Sequence, residues 1–312
     1  MFFGGYSFEQ VPNLTGKVAI VTGANAGLGR ASAMELARKG AHVILACRTE
    51  SKALPIVEEI KKETGNANVE FMELDLSSIK SVERFSKRFL ERGIELDILM
   101  NNAAILMPPT FTLSVDQIEM QLATNHIGHF LLTLSLIPAF PKDRTSRIVN
   151  VSSRSHQLFA PKCGFDLENY NNPETYNPWV AYGQSKVANI LFTQELQARL
   201  EAAGYDKIYV NALNPGAVAT DGAKQNPLMS SVKTFFFNLI AVPQTKGALT
   251  QIYVATSPDI ETKNYRGQYF DPVTRLSTPS APASDKELAK KLWELSVKLI
   301  RERGYDAEWV IS

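Results

Sequence analysis

Cysteine and unbalanced charge are both scarce in this chain of 312 residues. Its two cysteines, Cys47 and Cys163, lie far apart and form no CxxC pair, which favours a reducing compartment over a disulfide-stabilised secreted fold. The 33 Lys and Arg residues nearly cancel the 32 Asp and Glu residues, leaving a formal charge of +1. Since proteins that bind a phosphate backbone normally carry a basic excess, this balance gives no argument for a nucleic-acid partner.

Targeting signals and long apolar runs are lacking as well. Residues 1–15 have neither the basic region nor the long apolar region of a secretory signal, and residues 309–312 form no known lipidation or peroxisomal tail. No run reaches the ~18 apolar residues that cross a bilayer. We therefore expect a cytoplasmic protein without a membrane span.

Short β-branched runs and longer helical patterns alternate along the chain, within a composition that is 45% hydrophobic and 21% charged. The predicted strands are 17–22, 42–46, 69–74, 96–101, 147–152, 208–213 and 268–270. The predicted helices are 28–39, 52–64, 78–92, 118–140, 181–202 and about 246–256. Such alternation predicts an α/β fold, a Rossmann-type doubly wound parallel sheet covered on both faces. We expect a single domain, with a dinucleotide-binding half over about residues 15–150 and a catalytic and substrate half over about residues 151–312.

Two long segments do not fit this alternation. Residues 154–177 are polar and aromatic and are predicted to form a loop, and residues 221–243 contain the apolar side chains Phe235, Phe236 and Leu239. Irregular segments of this length in an α/β domain are usually functional. We expect residues 221–243 to close over a substrate, with a peripheral membrane contact and a homodimer contact as the alternatives.

A glycine-rich turn follows directly after the first strand and opens the first helix. It contains Gly23, Asn25, Gly27, Leu28 and Gly29. Glycines there permit a tight turn and let the backbone approach a pyrophosphate, which the positive end of the helix then stabilises. The spacing matches neither GxGxxG nor GxxxxGK[ST]. A purely structural turn is therefore the alternative interpretation.

The end of the second strand bears on the adenosine end of a dinucleotide. Arg48 stands where an NAD-binding protein would carry an acid, and no carboxylate occurs before Glu50, so Arg48 favours NADP over NAD. An ordinary surface arginine is the alternative. Arg30 could add a second positive charge. Asp75, after the third strand, is predicted to accept a hydrogen bond from the adenine amino group or to cap the next helix.

Two other chemistries are considered from the sequence. His126 and His129 are three residues apart, but no third ligand cluster follows them, so we expect structural roles and no metal. The GxSxG turn of the Ser-His-Asp hydrolases does not occur in the sequence.

Several motifs together make the chain resemble the short-chain dehydrogenase/reductase superfamily over residues 17–272. The shared residues are Thr22-Gly23-x3-Gly27-x-Gly29, Asn101-Asn102-Ala103-Ala104, Asn125, Ser153, Tyr182-Gly183-Gln184-Ser185-Lys186 and Pro215-Gly216-x3-Thr220. A narrower resemblance, to the retinol-dehydrogenase-like branch, rests on Ala46-Cys47-Arg48, the run from Asn125 to Thr133, Asn177-Pro178-Trp179, the Tyr182 to Lys186 motif and the run from Leu292 to Ser296. Ala104 departs from the pattern, because the superfamily usually has glycine there.

The resemblance implies four catalytic residues, Asn125, Ser153, Tyr182 and Lys186. Tyr182 and Lys186 are four apart and lie on one face of a helix, where an ammonium group is expected to lower the pKa of the phenol from about 10. Tyr182 would then be the acid that protonates a carbonyl oxygen, or the base in the reverse direction. The resemblance selects Ser153 over Ser152 to hold that oxygen. It implies that Asn125 keeps a helix open for a water that relays protons through Lys186.

The resemblance also implies a binding site for NADP(H). The predicted cofactor-binding residues are Gly23, Asn25, Gly27, Leu28, Gly29, Arg48, Asp75, Leu76, Asn102, Ala103, Tyr182, Lys186, Pro215, Gly216, Val218 and Thr220. The Pro215-Gly216 turn and Thr220 would face the nicotinamide carboxamide, with a helix cap as the alternative. We expect NADP(H)-dependent interconversion of a lipophilic carbonyl and its alcohol, with reduction the favoured direction. A redox sensor without catalysis and a non-redox member of the same fold are the alternatives.

Overall fold

The structure of the protein is a computed structural model that describes residues 5–216 and 244–305. Its strands are β1 Val18–Thr22, β2 His42–Cys47, β3 Val69–Glu73, β4 Ile98–Asn101, β5 Ser146–Val151, β6 Ile208–Leu213, β7 Tyr269–Asp271 and β8 Arg275–Ser277. They form one sheet in the order β3-β2-β1-β4-β5-β6-β7-β8. The strands from β3 to β7 run parallel, and β8, which the sequence did not predict, pairs antiparallel with β7.

The helices follow the predicted alternation. They are α1 Gly27–Arg38, α2 Glu50–Thr64, α3 Ile79–Leu90, α4 Met120–Leu122, α5 Gly128–Leu136, α6 Ser155–Leu158, α7 Pro178–Ala202, α8 Gln244–Thr256, α9 Asp259–Thr262 and α10 Lys286–Arg301. A π-helical turn over Ala123–Ile127 joins α4 to α5. Short 3-10 turns cover Phe8–Gln10, Ile137–Ala139, Pro173–Thr175 and Ala281–Ser284.

Alternate side chains of the central strands face two separate apolar cores. One core joins Ala19, Val21, Val43 and Leu45 of the sheet to Leu36 of α1, Val57 of α2 and Ile252 of α8. The other joins Ile20, Ile44, Leu99 and Ile148 to Phe85 of α3, Phe130 of α5, Leu191 of α7 and Trp293 of α10. A period of two along each strand is what places helices on both faces of a parallel sheet. The predicted Rossmann-type doubly wound fold is confirmed.

Helices α9 and α10 were not predicted, and three predicted segments differ from the structure. The helix predicted over 118–140 is interrupted by the π-helical turn and ends in a 3-10 turn. Helix α7 begins three residues earlier than predicted, because the Asn177 side chain accepts hydrogen bonds from the backbone N–H groups of Trp179 and Val180. The segment 154–177, predicted as a loop, contains the short helix α6 and one 3-10 turn.

The strand order places the candidate site. After β1 the chain continues outward through β2 and β3, and then returns to place β4 on the other side of β1. This reversal creates a crevice at the carboxyl ends of β1 and β4, which is where open α/β sheets bind ligands.

Candidate active site

The glycine-rich turn lies at this crevice, between β1 and α1. Gly23 has φ +65°, and a Cβ atom on Gly29 would lie 2.5 Å from the side-chain nitrogen of Asn102 and 2.5 Å from the Gly23 carbonyl oxygen. Ala26, the residue before α1, provides no side-chain cap, so the first N–H groups of that helix have no side-chain acceptor there. The turn therefore needs glycine at both positions and presents a positive helix end of the kind that binds pyrophosphate.

The turn after β4 is held against the end of β1 by Thr22. The Thr22 hydroxyl oxygen accepts hydrogen bonds from the backbone N–H groups of Asn102 and Ala103, both at 2.9 Å. The Asn102 side chain donates in return to the Thr22 carbonyl at 2.8 Å. Its own amide oxygen accepts from Gln251 of α8 at 3.1 Å. Two predicted cofactor-binding residues, Asn102 and Ala103, are therefore fixed beside the glycine-rich turn.

Arg48 and Arg30 differ in their surroundings. Arg48 is exposed directly after β2 and has no ion-pair partner within the described part of the chain. It lines a cavity of about 600 Å³ at the outer edge of the sheet, together with Glu73 and Arg88. Arg30 forms an ion pair with Glu59 of α2. The charge of Arg30 is thus partly neutralised. Of these two arginines, Arg48 is the one without an ion-pair partner among the described residues.

Asp75 and Leu76 follow β3. One oxygen of the Asp75 carboxylate accepts hydrogen bonds from the backbone N–H of Ser77 at 2.9 Å and from its hydroxyl at 2.6 Å. Helix α3 is capped by Ser78 rather than by Asp75, so Asp75 caps the preceding turn. The backbone of Leu76 lies against α5, where a Cβ atom on Gly128 would be 2.2 Å from the Leu76 carbonyl oxygen.

Tyr182, Ser153 and Lys186 are brought together by α7 and the end of β5. Tyr182 is 7% exposed, and the Ser153 side chain lies beside its phenol. One helical turn later the Lys186 ammonium donates to the Val151 carbonyl at 3.0 Å and lies 5.5 Å from the centre of the Tyr182 ring. Ser152 instead donates to the Lys186 carbonyl at 2.8 Å. The structure therefore places Ser153, and not Ser152, beside the phenol.

The pKa values in this cluster correct one expectation. Burial raises the pKa of Tyr182 to about 12, although the nearby Ser153 side chain opposes the shift. Burial also lowers the pKa of Lys186 to about 7. The expected lowering of the phenol pKa by the ammonium group is therefore wrong here, because loss of solvent dominates both groups. Tyr182 therefore keeps its proton at neutral pH, while the pKa of Lys186 is moved towards neutral pH.

Asn125 lies fully buried in the π-helical turn. Its side-chain oxygen accepts from the Ile105 N–H at 2.8 Å, and its amide nitrogen donates to the Ile105 carbonyl at 3.1 Å and to the Ser185 hydroxyl at 3.0 Å. Asn125 thus joins the segment that follows β4 to the residue before Lys186. All four predicted catalytic residues lie at the same edge of the sheet.

His156 is a contact of this site that the sequence reasoning missed. Its Nδ1 donates to the Ser153 carbonyl at 2.7 Å, and its Nε2 accepts from the Ser280 N–H at 3.2 Å. The ring also packs edge-on against Tyr269, and burial lowers its pKa. His156 therefore fixes the backbone of Ser153. The signal in the sequence was that His156 follows Ser153 by three residues. Its second partner, Ser280, lies more than a hundred residues away in the sequence and could not be predicted.

His126 and His129 do not share a ligand position. His126 Nε2 hydrogen-bonds with Ser296 of α10 at 2.9 Å, whereas His129 contacts Thr22 and the Asn125 carbonyl. Within residues 5–216 and 244–305 there is no group of three or more side chains suited to hold a metal ion. Both histidines bind protein groups instead.

The Pro215-Gly216 turn follows β6 at the same edge of the sheet. Gly216 has φ +88°, and its N–H donates to the Asn214 side chain at 3.0 Å. Val218, Thr220 and the segment 221–243, including Phe235, Phe236 and Leu239, lie outside the described residues. No helix of the described chain has the length and apolar character required to span a bilayer.

The chain is similar to known proteins in both sequence and fold. A family model described as short chain dehydrogenase matches residues 17–162. Retinol dehydrogenase 13 of Mus musculus is 39% identical over 306 residues, covering 96% of this chain and 88% of that protein. Short-chain dehydrogenase TIC 32 B, chloroplastic, of Brassica napus is 41% identical over 289 residues, covering 90% of this chain and 88% of that protein. A crystal structure of a protein from Mycobacterium paratuberculosis has a TM-score of 0.76 at 34% identity, covering 95% of this chain and 98% of that one. The chain therefore belongs to the short-chain dehydrogenase/reductase superfamily of oxidoreductases, in its retinol-dehydrogenase-like branch.

Proposed function

We propose that the protein interconverts a lipophilic carbonyl compound and its alcohol with NADP(H), and that reduction is the favoured direction. The observation that carries the proposal is the position of the Ser153 side chain beside the Tyr182 phenol, with Lys186 one helical turn behind the phenol. This arrangement presents two hydroxyl groups to one substrate oxygen. It suits a reaction in which that oxygen must gain or lose a proton.

Tyr182 is the proton donor in this proposal, and Ser153 holds the substrate oxygen. A phenol whose pKa is raised to about 12 stays protonated at neutral pH and enters the reaction as an acid. NADPH, when bound, supplies the hydride. In the reverse direction the same group must first lose its proton so that it can accept one from the alcohol.

Lys186 restores the proton that Tyr182 gives away. With a pKa lowered to about 7, the ammonium group gains and loses a proton near neutral pH. Asn125 fixes the helix around this lysine through Ser185, and it holds the Ile105 backbone on the opposite side. The proposed route therefore runs from the region of Asn125 through Lys186 to the phenol.

The described residues fit a phosphorylated dinucleotide. The glycine positions 23 and 29 form a cradle that a Cβ atom would fill, and the uncapped start of α1 suits a pyrophosphate. Arg48, exposed and without an ion-pair partner among the described residues, suits the 2′-phosphate of NADP. Asp75 keeps a second carboxylate oxygen that can accept from adenine.

Two observations support a lipophilic substrate. The relatives named retinol dehydrogenase carry the name of a lipophilic alcohol. Beside the site, the rings of Phe159 and Trp179 pack edge-on with centres 5.0 Å apart, and Gly183 lets α7 approach the backbone of Ala160. Trp179 precedes Tyr182 by three residues on α7, and aromatic side chains on that face favour apolar over charged carbonyl compounds.

A cofactor oxidation assay tests the proposal. NADPH consumption is measured with a panel of apolar aldehydes and ketones, for the unmodified protein and for Tyr182→Phe. We expect turnover with at least one apolar carbonyl, a fall in kcat of about 10²- to 10⁴-fold in the variant, and an unchanged Kd for NADPH. Binding of NADPH without turnover of any carbonyl would favour a redox sensor. Conversion of a substrate without net NADPH consumption would favour a non-redox reaction.

A further inference from the structure

His129 occupies a position between the cofactor turn and the π-helical turn. It lies on α5, one helical turn after Asn125, and is 2% exposed. Its Nε2 is 2.8 Å from the Thr22 hydroxyl, and its Nδ1 is 3.2 Å from the Asn125 carbonyl oxygen. One imidazole ring therefore touches both halves of the site.

The protons in this contact can be assigned from the chemistry of the partners. The Asn125 carbonyl can only accept, so Nδ1 of His129 carries a proton. Burial and the nearby charge of Lys186 lower the pKa of His129 to about 3, so the ring is neutral and Nε2 is an acceptor. The Thr22 hydroxyl must then donate to Nε2.

This assignment saturates the Thr22 hydroxyl. Its oxygen accepts from the N–H groups of Asn102 and Ala103, and its single proton points to His129. The other acceptor within reach, the Met100 carbonyl, is 3.3 Å away. If the proton pointed there, lone pairs of Thr22 and His129 would face each other at 2.8 Å. The hydrogen-bond network thus has one consistent arrangement.

We propose that His129 is a positioning residue that couples the cofactor turn to the proton-transfer residues. Its Nε2 sets the hydroxyl of Thr22, which holds Asn102 and Ala103, and its Nδ1 sets the backbone of Asn125. This inference rests on the proposed function, because it assigns His129 to the same reaction. His129 touches neither substrate nor cofactor in this proposal and acts through its neighbours.

Two substitutions separate the two bonds. The side-chain amide of asparagine reaches the position of Nδ1, so His129→Asn can keep the bond to Asn125 and loses the bond to Thr22. The amide of glutamine reaches the position of Nε2, so His129→Gln can keep Thr22 and loses Asn125. We expect His129→Asn to raise the Kd for NADPH by roughly tenfold with a smaller change in kcat, since one buried hydrogen bond is lost. We expect His129→Gln to lower kcat by roughly tenfold and to shift its pH profile, with little change in Kd.

His126 gives a matched control on the same segment. It is equally buried, but its bond is to Ser296 of α10, away from the site. We expect His126→Gln to change thermal stability without separating Kd from kcat. The coupling role would be overturned if both His129 variants changed the Kd for NADPH and kcat in the same proportion as His126→Gln does. It would also be overturned if both His129 variants had the Kd and kcat of the unmodified protein.

A measurement on the unmodified protein keeps this inference separate from the proposed function. Nitrogen-15 chemical shifts of the imidazole report which ring nitrogen carries the proton. We expect a neutral His129 with the proton on Nδ1, and a proton on Nε2 would overturn the assignment. If the protein turned over no carbonyl compound, the proposed function would fail, whereas the tautomer and the NADPH Kd of His129→Asn would still decide whether His129 holds the cofactor turn.

Discussion

The parallel strands of the sheet begin at one edge, the amino edge, and end at the other, the carboxyl edge. Asp97 at the amino edge and Lys186 at the carboxyl edge have opposite kinds of charge partner. At the amino edge, the Asp97 side chain is 3% exposed and accepts from the Lys17 ammonium at 3.0 Å, the Arg144 guanidinium at 2.9 Å and the Val18 N–H at 2.9 Å. At the carboxyl edge, the buried Lys186 ammonium donates to a backbone carbonyl rather than to a carboxylate. Opposite charges therefore meet at Asp97, whereas the cation of Lys186 meets a neutral group.

This difference separates stability from chemistry. A buried carboxylate with two cations stabilises the junction of the strands that it joins, and removing its charge leaves those cations without compensation. A buried lysine without a carboxylate costs stability, but its pKa falls to where protons exchange at neutral pH. We therefore propose that the amino edge serves to hold the fold and that the carboxyl edge carries the chemistry.

The largest effect is expected for Lys186→Met. Methionine has a similar length and no charge, so the variant removes the proton-carrying group and leaves the packing nearly intact. We expect kcat for carbonyl reduction to fall by about 10²- to 10⁴-fold, while the protein stays folded by circular dichroism. A variant that retained most of the unmodified kcat would remove Lys186 from the reaction and would blur the distinction between the two edges.

The same variant tests the pKa of Lys186 through stability. The folded pKa of about 7 lies below the ordinary value of 10.5, so between these pH values the unfolded chain binds a proton that the folded chain has released. The free energy of unfolding should therefore rise with pH in this window, by up to about 1.4 kcal/mol per pH unit, and stay constant below it. Urea unfolding at several pH values should show this rise in the unmodified protein and lack it in Lys186→Met. Equal slopes would contradict the shift.

Asp97→Asn should show the opposite behaviour at the amino edge. Asparagine keeps the shape but leaves two cations beside a neutral group, so we expect the free energy of unfolding to fall by about 3 kcal/mol. The kcat of the folded enzyme should not change, because Asp97 lies at the far end of the strands. Glu95→Gln is the control: Glu95 also pairs with Arg144 but is 53% exposed, so its loss should cost about 0–1 kcal/mol. A large fall in kcat for Asp97→Asn would show that the edges are not independent.

The grouping of the site residues at the carboxyl edge could be predicted from the sequence. Parallel strands all end at the same edge. Thr22 is the last residue of a predicted strand, and Asn102, Ser153 and Gly216 follow other predicted strands, which was enough to expect them together. Helical spacing then added Lys186 one turn after Tyr182. The sequence was therefore sufficient to predict that these residues lie close together. Their roles in a reaction stay predictions.

Depth and long-range contact were beyond the sequence. The pKa of Tyr182 depends on how much water reaches the phenol, and neighbouring charge in the sequence says nothing about that. The π-helical turn arises where Asn125 holds the Ile105 backbone, and apolar spacing is the same with or without that turn. His129 binds Thr22 from more than a hundred residues away. Sequence spacing on one helix cannot reveal such a partner.

The smallest effect concerns the exposed cation of the carboxyl edge, Arg48. A 2′-phosphate would give this guanidinium a charge-assisted hydrogen bond, whereas NADH offers only a neutral hydroxyl there. We expect Arg48→Ala to reduce the preference for NADPH over NADH by about 1.5–3 kcal/mol, which is roughly tenfold or more in the ratio of Kd values from cofactor titrations. Arg88→Ala is the control, because Arg88 lines the same cavity from α3 and should leave the ratio unchanged. If the unmodified protein bound NADH more tightly, or if both variants changed the ratio equally, Arg48 would be an ordinary surface charge that does not select NADP.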